Sequence, residues 1–113
     1  MVGHRLQANL LCVPLLLCSP QFVQDIKDPI LRAWALELNK IWMDLGRSIS
    51  PAVFQNPQRY SLVHVPNPFI IPGGRFFEFY YWDTYWIVNG VLLCDMKETA
   101  RGMIENLANL VER

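Results

Sequence analysis

Between residues 57 and 72 the chain carries four prolines, Pro57, Pro66, Pro68 and Pro72, with Asn67 among them. Proline fixes φ, lacks an N–H and pushes the residue before it out of the helical region, so a stretch punctuated this way is neither a helix nor a central strand. Val63, Val65, Phe69, Ile70 and Ile71 can supply short extended pieces, but no long alternation of apolar and polar residues predicts a sheet. The expectation is an irregular but structured loop between two helical regions.

The region before it carries the strongest helical pattern. From Pro29, the apolar residues Leu31, Trp34, Leu38, Ile41, Trp42 and Leu45 recur at steps of three and four, with Arg32, Glu37, Lys40 and Asp44 between them. Asp28-Pro29 is a start signal, and Gly46 is read as a left-handed cap. Both tryptophans lie on the apolar stripe, which assigns them to core packing rather than to a ligand. Ser19-Pro20 reads as the capped start of a short helix carrying Phe22, Val23 and Ile26, and Ser50-Pro51 as the start of one helical turn through Phe54, stopped at Asn56-Pro57.

Beyond the loop, Asp83 or Thr84 is expected to cap a helix running from Tyr85 to Cys94, apolar nearly all round, which Asp95 ends or bends. Residues 97–113 form a second amphipathic helix, with Ala100, Met103, Ile104, Leu107, Leu110 and Val111 inward. Two such helices joined by a short turn make an αα-hairpin. No glycine or proline follows the last helix, which reads as truncation.

Ten basic residues balance ten acidic ones, so no field draws nucleic acid or an anionic surface, and the expected partner is neutral. Cys12, Cys18 and Cys94 form no Cys-x-x-Cys pair, and His4 and His64 stand apart, so no metal site and no cofactor is expected. Cys94 reads as a small buried hydrophobe. Residues 1–18 contain an apolar run from Leu10 to Cys18, too short for a bilayer helix; they read equally as a secretory signal or as an unrelated amino-terminal extension.

The chemistry is concentrated from Pro72 to Trp86. Gly73 and Gly74 permit a sharp turn, Arg75 offers a rigid fork of donors, Glu78 and Asp83 offer acceptors, and aromatic side chains fill the run from Phe76 to Trp86. Flat rings beside paired charged groups suit a sugar, which has apolar faces and a rim of hydroxyls. The same rings suit a buried core, and composition alone leaves both readings open.

Pro72-Gly73-Gly74-Arg75-Phe76, then Glu78, then Tyr80-Tyr81-Trp82-Asp83 and Tyr85 resembles the first signature motif of the trehalases, glycosidases that hydrolyse α,α-trehalose to glucose. The resemblance runs from about Ser19 to Arg113, is strongest to the animal enzymes, and does not extend to residues 1–18. It implies an all-α fold, an incomplete part of an (α/α)₆ barrel with the proline-rich loop leading into the motif, and makes residues 19–113 the amino-terminal part of a trehalase-like catalytic domain. It further implies trehalose and glucose as ligands, with Arg75, Trp82 and Asp83 contacting sugar and Glu78 and the tyrosines giving structural support.

Inverting hydrolysis needs an acid and a base about 6.5–9.5 Å apart. Glu78 and Asp83 are the only acidic pair near the motif, but the resemblance makes Asp83 a binding residue and puts both catalytic carboxylates beyond Arg113. The family's second motif, containing Gln-Trp-Asp, has no counterpart here; Trp82-Asp83 is the only Trp-Asp. The chain alone is therefore expected to be inactive. Family members include secreted and membrane-anchored forms, and the sequence does not choose between them. Two other readings stand beside the enzyme: an inactive sugar-binding or regulatory isoform, and a helical protein-interaction fragment.

Overall fold

Asp28 and Ser50 start helices as their sequence contexts demand. The Asp28 Oδ1 accepts from the backbone N–H groups of Ile30 and Leu31 at 2.8 and 3.1 Å, ahead of Pro29 at the first helical position. The Ser50 hydroxyl accepts from Ala52 N–H at 3.4 Å, ahead of Pro51. A computed structural model describes the backbone of residues 10–12 and residues 19–112 in full. The reading of residues 1–18 as a signal or an extension lies outside the described residues, apart from Leu10–Cys12.

The elements in order are β1 (Leu10–Cys12), α1 (Gln21–Asp25), α2 (Pro29–Leu45), β2 (Gly46–Ile49), α3 (Pro51–Gln55), a 3₁₀ turn (Pro57–Arg59), β3 (Phe69–Ile70), α4 (Tyr81–Leu93) and α5 (Lys97–Val111). Helix dominates, as an all-α reading requires. The strands depart from it: β1, β2 and β3 form a small antiparallel sheet in that order, with Gly46 opposite Ile70 and Arg47 opposite Phe69.

This sheet overturns the reading of Gly46 as a left-handed cap. Gly46 is extended, at φ −69° and ψ 130°, and carries the chain straight from α2 into β2. A glycine before a short apolar-poor segment gives a cap and a strand start the same local signature; long-range pairing with β3 decides between them. The pairing continues as Ile71 N–H donates to the Leu45 carbonyl at 3.0 Å. The proline-rich loop is thereby fastened to the end of α2 just before Pro72.

The core is built from that fastening. Val65, Phe69, Ile70 and Ile71 from the loop meet Val91 from α4, Cys94 just past its end, and Met96, Ala100 and Met103 around α5, all buried. Each large apolar side chain removed from water contributes about 1.5–3 kcal/mol. Trp42 and Leu45 pack on this cluster from α2. The Trp42 indole N–H donates to the Cys94 Sγ at 3.3 Å, so Cys94 is both a buried hydrophobe and a weak acceptor. Trp34 corrects the expectation for its stripe: it is 61% exposed.

The α4–α5 junction is a Schellman turn. Met96 N–H donates to the Val91 carbonyl at 2.9 Å and Asp95 N–H to that of Leu92 at 3.1 Å, with Asp95 left-handed at φ 60°. The Asp95 carboxylate also accepts from Gln21 N–H at 2.7 Å. That bond replaces the expected Ser19 cap, because Pro20 is the residue flanking α1 and no local side chain caps it. In α5, Ala100 and Met103 are buried as expected, whereas Ile104 and Val111 are exposed, and Asn106 takes the inward position between Met103 and Leu110.

Candidate functional site

Gly73 and Gly74 turn the chain as their lack of a Cβ allows, at φ 96° and 60°. Gly73 N–H donates to the Phe76 carbonyl at 3.3 Å and Phe76 N–H to that of Gly73 at 3.0 Å, closing a two-residue turn with Arg75 at its tip. A Cβ on Gly73 would also meet Leu45 Cδ2 at 3.1 Å, so the turn lies directly against the end of α2. Arg75 is exposed, its guanidinium carbon 5.3 Å from the centre of the Phe76 ring.

The aromatic run then divides. Phe77 and Phe79 pack against the core, Phe79 tilted onto Phe69 at 5.1 Å between ring centres. Phe76, Tyr81, Trp82, Tyr85 and Trp86 are exposed. Core and platform are thus both present, assigned to different residues of one stretch. The outward rings form a ladder along α4: Trp82 meets Trp86 edge to face at 6.0 Å, and Tyr85 meets Trp86 at 5.0 Å.

Helix α4 starts earlier than the sequence suggested. Tyr80 flanks it, no side chain caps it, and Asp83 stands inside the first turn, where the helix dipole favours a carboxylate. Thr84 is no cap either: its hydroxyl donates to the Tyr80 carbonyl and is buried. Among the described residues, Thr84 and Val91 are the buried positions of α4, and its other apolar side chains are partly or fully exposed.

An apolar groove of about 590 Å³ runs between α4 and α5, walled by Tyr81, Trp82, Tyr85 and Trp86 and floored by Ile104 and Leu107. Trp82, 70% exposed, belongs to it; Arg75 and Asp83 do not. Asp83 is half-buried on the neighbouring side of the same helical turn, and Arg75 sits on the preceding hairpin. Among the described residues, the ion pairs join Glu37 to Lys40 and Glu105 to Arg101; none joins Arg75 to Asp83. Glu105 and Glu98 raise the Arg101 pKa through a hydrogen bond from Arg101 to Glu105 and through charge, all on exposed α5 surface away from the motif.

The sequence reading missed what holds the motif's approach in place. Asn67 N–H donates to Asn106 Oδ1, and Asn106 Nδ2 donates back to the Asn67 carbonyl, both at 2.9 Å. An amide on the inward stripe of an otherwise apolar helix face was the available signal. Among the described residues no group of three His, Cys, Asp or Glu is placed to hold a metal, and no helix is long and apolar enough to cross a membrane.

Comparison with known proteins gives this geometry its context. The trehalase family model matches residues 17–113. The chain is 55% identical to rabbit (Oryctolagus cuniculus) trehalase over 93 residues, 82% of this chain and 16% of that protein. It is 52% identical to human trehalase over 94 residues and 52% identical to Tenebrio molitor trehalase over 95, covering 16% and 17% of those proteins. The chain therefore spans about a sixth of the length of these curated relatives, and it belongs to the trehalase family.

Proposed function

We propose that this chain supplies one wall of the glucose-holding site of an α,α-trehalase, and that the whole enzyme hydrolyses trehalose to two glucose molecules with inversion. The observation that carries the reading is the intact motif itself: a glycine-hinged arginine, then a helix whose first turn holds Trp82 and Asp83, in a family member. Arg75 would donate from its fork to ring-edge oxygens, Asp83 would accept from sugar hydroxyls, and Trp82 would cover an apolar sugar face. The three need not touch one another for this. A sugar bridging the hairpin and the helix would draw on all of them, and the turn at Gly73–Phe76 would set the distance between.

The acid that protonates the leaving oxygen and the base that activates water belong, in this reading, to polypeptide beyond the matched segment, as do the further helices that would complete an (α/α)₆ barrel. Glu78 and Asp83 are not that pair. The test joins the full 113-residue chain to the human trehalase sequence that follows its matched segment and measures glucose release from trehalose. The extended chain is expected to hydrolyse trehalose and the 113-residue chain to release none. Hydrolysis by the short chain, abolished by Asp83→Asn, would move the catalytic chemistry into the motif and overturn this assignment.

The open aromatic groove favours a second reading, a chain that binds sugar without hydrolysing it. Saturable quenching of tryptophan fluorescence by trehalose, lost in Trp82→Ala, is its expected signature; a flat titration excludes it.

A further inference from the structure

Gly102 and Asn106 stand one helical turn apart on α5 and together cradle the proline-rich loop at Asn67. A Cβ on Gly102 would lie 3.3 Å from the Asn67 Cβ and 3.9 Å from the Pro68 carbonyl oxygen, so the missing side chain lets the loop settle onto the helix. Asn67 Nδ2 then donates to the Gly102 carbonyl at 3.3 Å, and the Asn106 amide takes up the Asn67 backbone N–H and carbonyl, both at 2.9 Å. Asn106 is fully buried, and a buried polar pair holds one geometry because any other leaves its groups without water or partner.

What this clamp joins is the two parts of the motif. The chain touches α5 at Asn67, reaches Arg75 eight positions later and returns to the same helical hairpin at Tyr81, the first residue of α4. Between those ends Phe69 and Ile70 pair with β2, Ile71 N–H donates to the Leu45 carbonyl, and the Gly73 turn abuts the Leu45 side chain. Those contacts refer Arg75 to α2 and β2, whereas Trp82 and Asp83 ride on α4. The clamp ties the approach to Arg75 directly to the α4–α5 hairpin; the packing of Ile70 and Ile71 in one cluster with Val91 is non-directional and tolerates sliding. We propose, resting on the sugar-site reading above, that Asn106 is a positioning residue for trehalose hydrolysis: with Gly102 it sets the separation between the Arg75 fork and the helical turn that holds Trp82 and Asp83. A misplacement of about 1 Å at such a site costs about 100-fold in rate.

Two variants move the loop by different means. Asn106→Gln keeps both hydrogen-bonding groups but carries them one methylene further from α5, and Gly102→Ala pushes Asn67 off the helix while favouring the helix itself. In the 113-residue chain, read by ¹H–¹⁵N NMR, each is expected to shift the Gly73, Gly74 and Arg75 amide resonances and to leave that of Val53 in α3 in place. Unmoved hairpin resonances would overturn the inference. In the extended chain described above, assayed well below the melting temperature, kcat/KM for trehalose is expected to fall about tenfold in Asn106→Gln and about threefold in Gly102→Ala. Val53→Ala, which empties a buried site outside the core cluster, is the control for lost stability and should stay within about twofold of the parent. A double-mutant cycle with Arg75→Lys separates positioning from stability: in that background Asn106→Gln is expected to lose less than about threefold, because the fork it aligns is already gone. An equal loss in both backgrounds, or full activity in Asn106→Gln, overturns the positioning role alone, whereas parental activity in Arg75→Lys overturns the sugar-site reading.

Discussion

Asn67 and Asn106 are locked face to face, the backbone N–H and carbonyl of one bonded to the side-chain carbonyl and amide of the other, each at 2.9 Å. Asn106 is fully buried in α5, and Asn67 lies between Pro66 and Pro68 in a loop with little backbone hydrogen bonding of its own. One amide therefore serves a proline-rich segment as a partner strand would. It also fixes how Phe69, Ile70 and Ile71 enter the core just ahead of the Gly73 turn.

Replacing Asn106 by leucine is expected to destabilise the chain by about 2–3 kcal/mol, because it strands a backbone donor and acceptor that the fold has already withdrawn from water. Asn67→Ala keeps both bonds, since they use the Asn67 backbone, and is expected to cost about 1 kcal/mol or less. Urea denaturation of the two variants checks the order. Equal losses would mean that the loop is held by apolar packing and that the amide pair adds little.

Gly90 is where α4 lets Trp42 approach: a Cβ there would stand 3.1 Å from Cη2 and 3.2 Å from Cζ2 of the indole. Alanine gains about 1 kcal/mol of helix propensity over glycine but overpacks the ring, a penalty of about 1–3 kcal/mol. The net expectation for Gly90→Ala is destabilisation, with loss of the Trp42–Cys94 contact. Adding Trp42→Phe removes the clashing atoms, so alanine at position 90 should become neutral or favourable in that background. A double-mutant cycle by thermal melting reads the change of sign; the same sign in both backgrounds would show that α4 shifts to accommodate the methyl.

Asp95 is the described non-glycine residue with positive φ, and its carboxylate bridges to α1. Alanine should lose about 1 kcal/mol to left-handed strain and about 1 kcal/mol to the missing acceptor. Glycine loses only the acceptor, and asparagine keeps both an acceptor and tolerance of the conformation. The predicted order of stability is therefore Asp95 and Asp95→Asn together, then Gly, then Ala. Guanidinium unfolding checks it, and hydrogen exchange in α1 should rise in the Gly and Ala variants alone.

How much of this was legible in the sequence follows from how local each cause is. Asp28-Pro29 and Ser50-Pro51 announce their helices because cap and proline act within three residues, and the glycine turn is equally local. Gly46 misled because its conformation depends on Phe69 and Ile70, more than twenty residues away. The α2 stripe was read correctly as apolar, yet periodicity reports only which residues share a face; whether that face is covered depends on partners. The site was legible as a motif and illegible as a geometry, since the division of the aromatic run into Phe77 and Phe79 inward and Trp82 and Trp86 outward follows from where α4 begins.

The sharpest expectation concerns Arg75 and Asp83, which stand on different elements and form no ion pair with each other. If they meet only through sugar, their replacement should change catalysis and not folding. In the extended chain, Asp83→Asn removes a charged acceptor and Arg75→Lys replaces a fork by a point donor; each is expected to lower kcat/KM for trehalose by about 100-fold, roughly 2.7 kcal/mol of lost transition-state binding. Trp82→Phe keeps a flat face without the indole N–H and should lose about tenfold. The melting temperatures should stay within about 1 °C of the parent, because Arg75 is exposed and its ring contact is worth little in water. Hydrolysis at parental rates in Asp83→Asn would remove that carboxylate from the sugar site, and a large drop in melting temperature for Arg75→Lys would make the hairpin arginine a structural strut rather than a ligand-facing group.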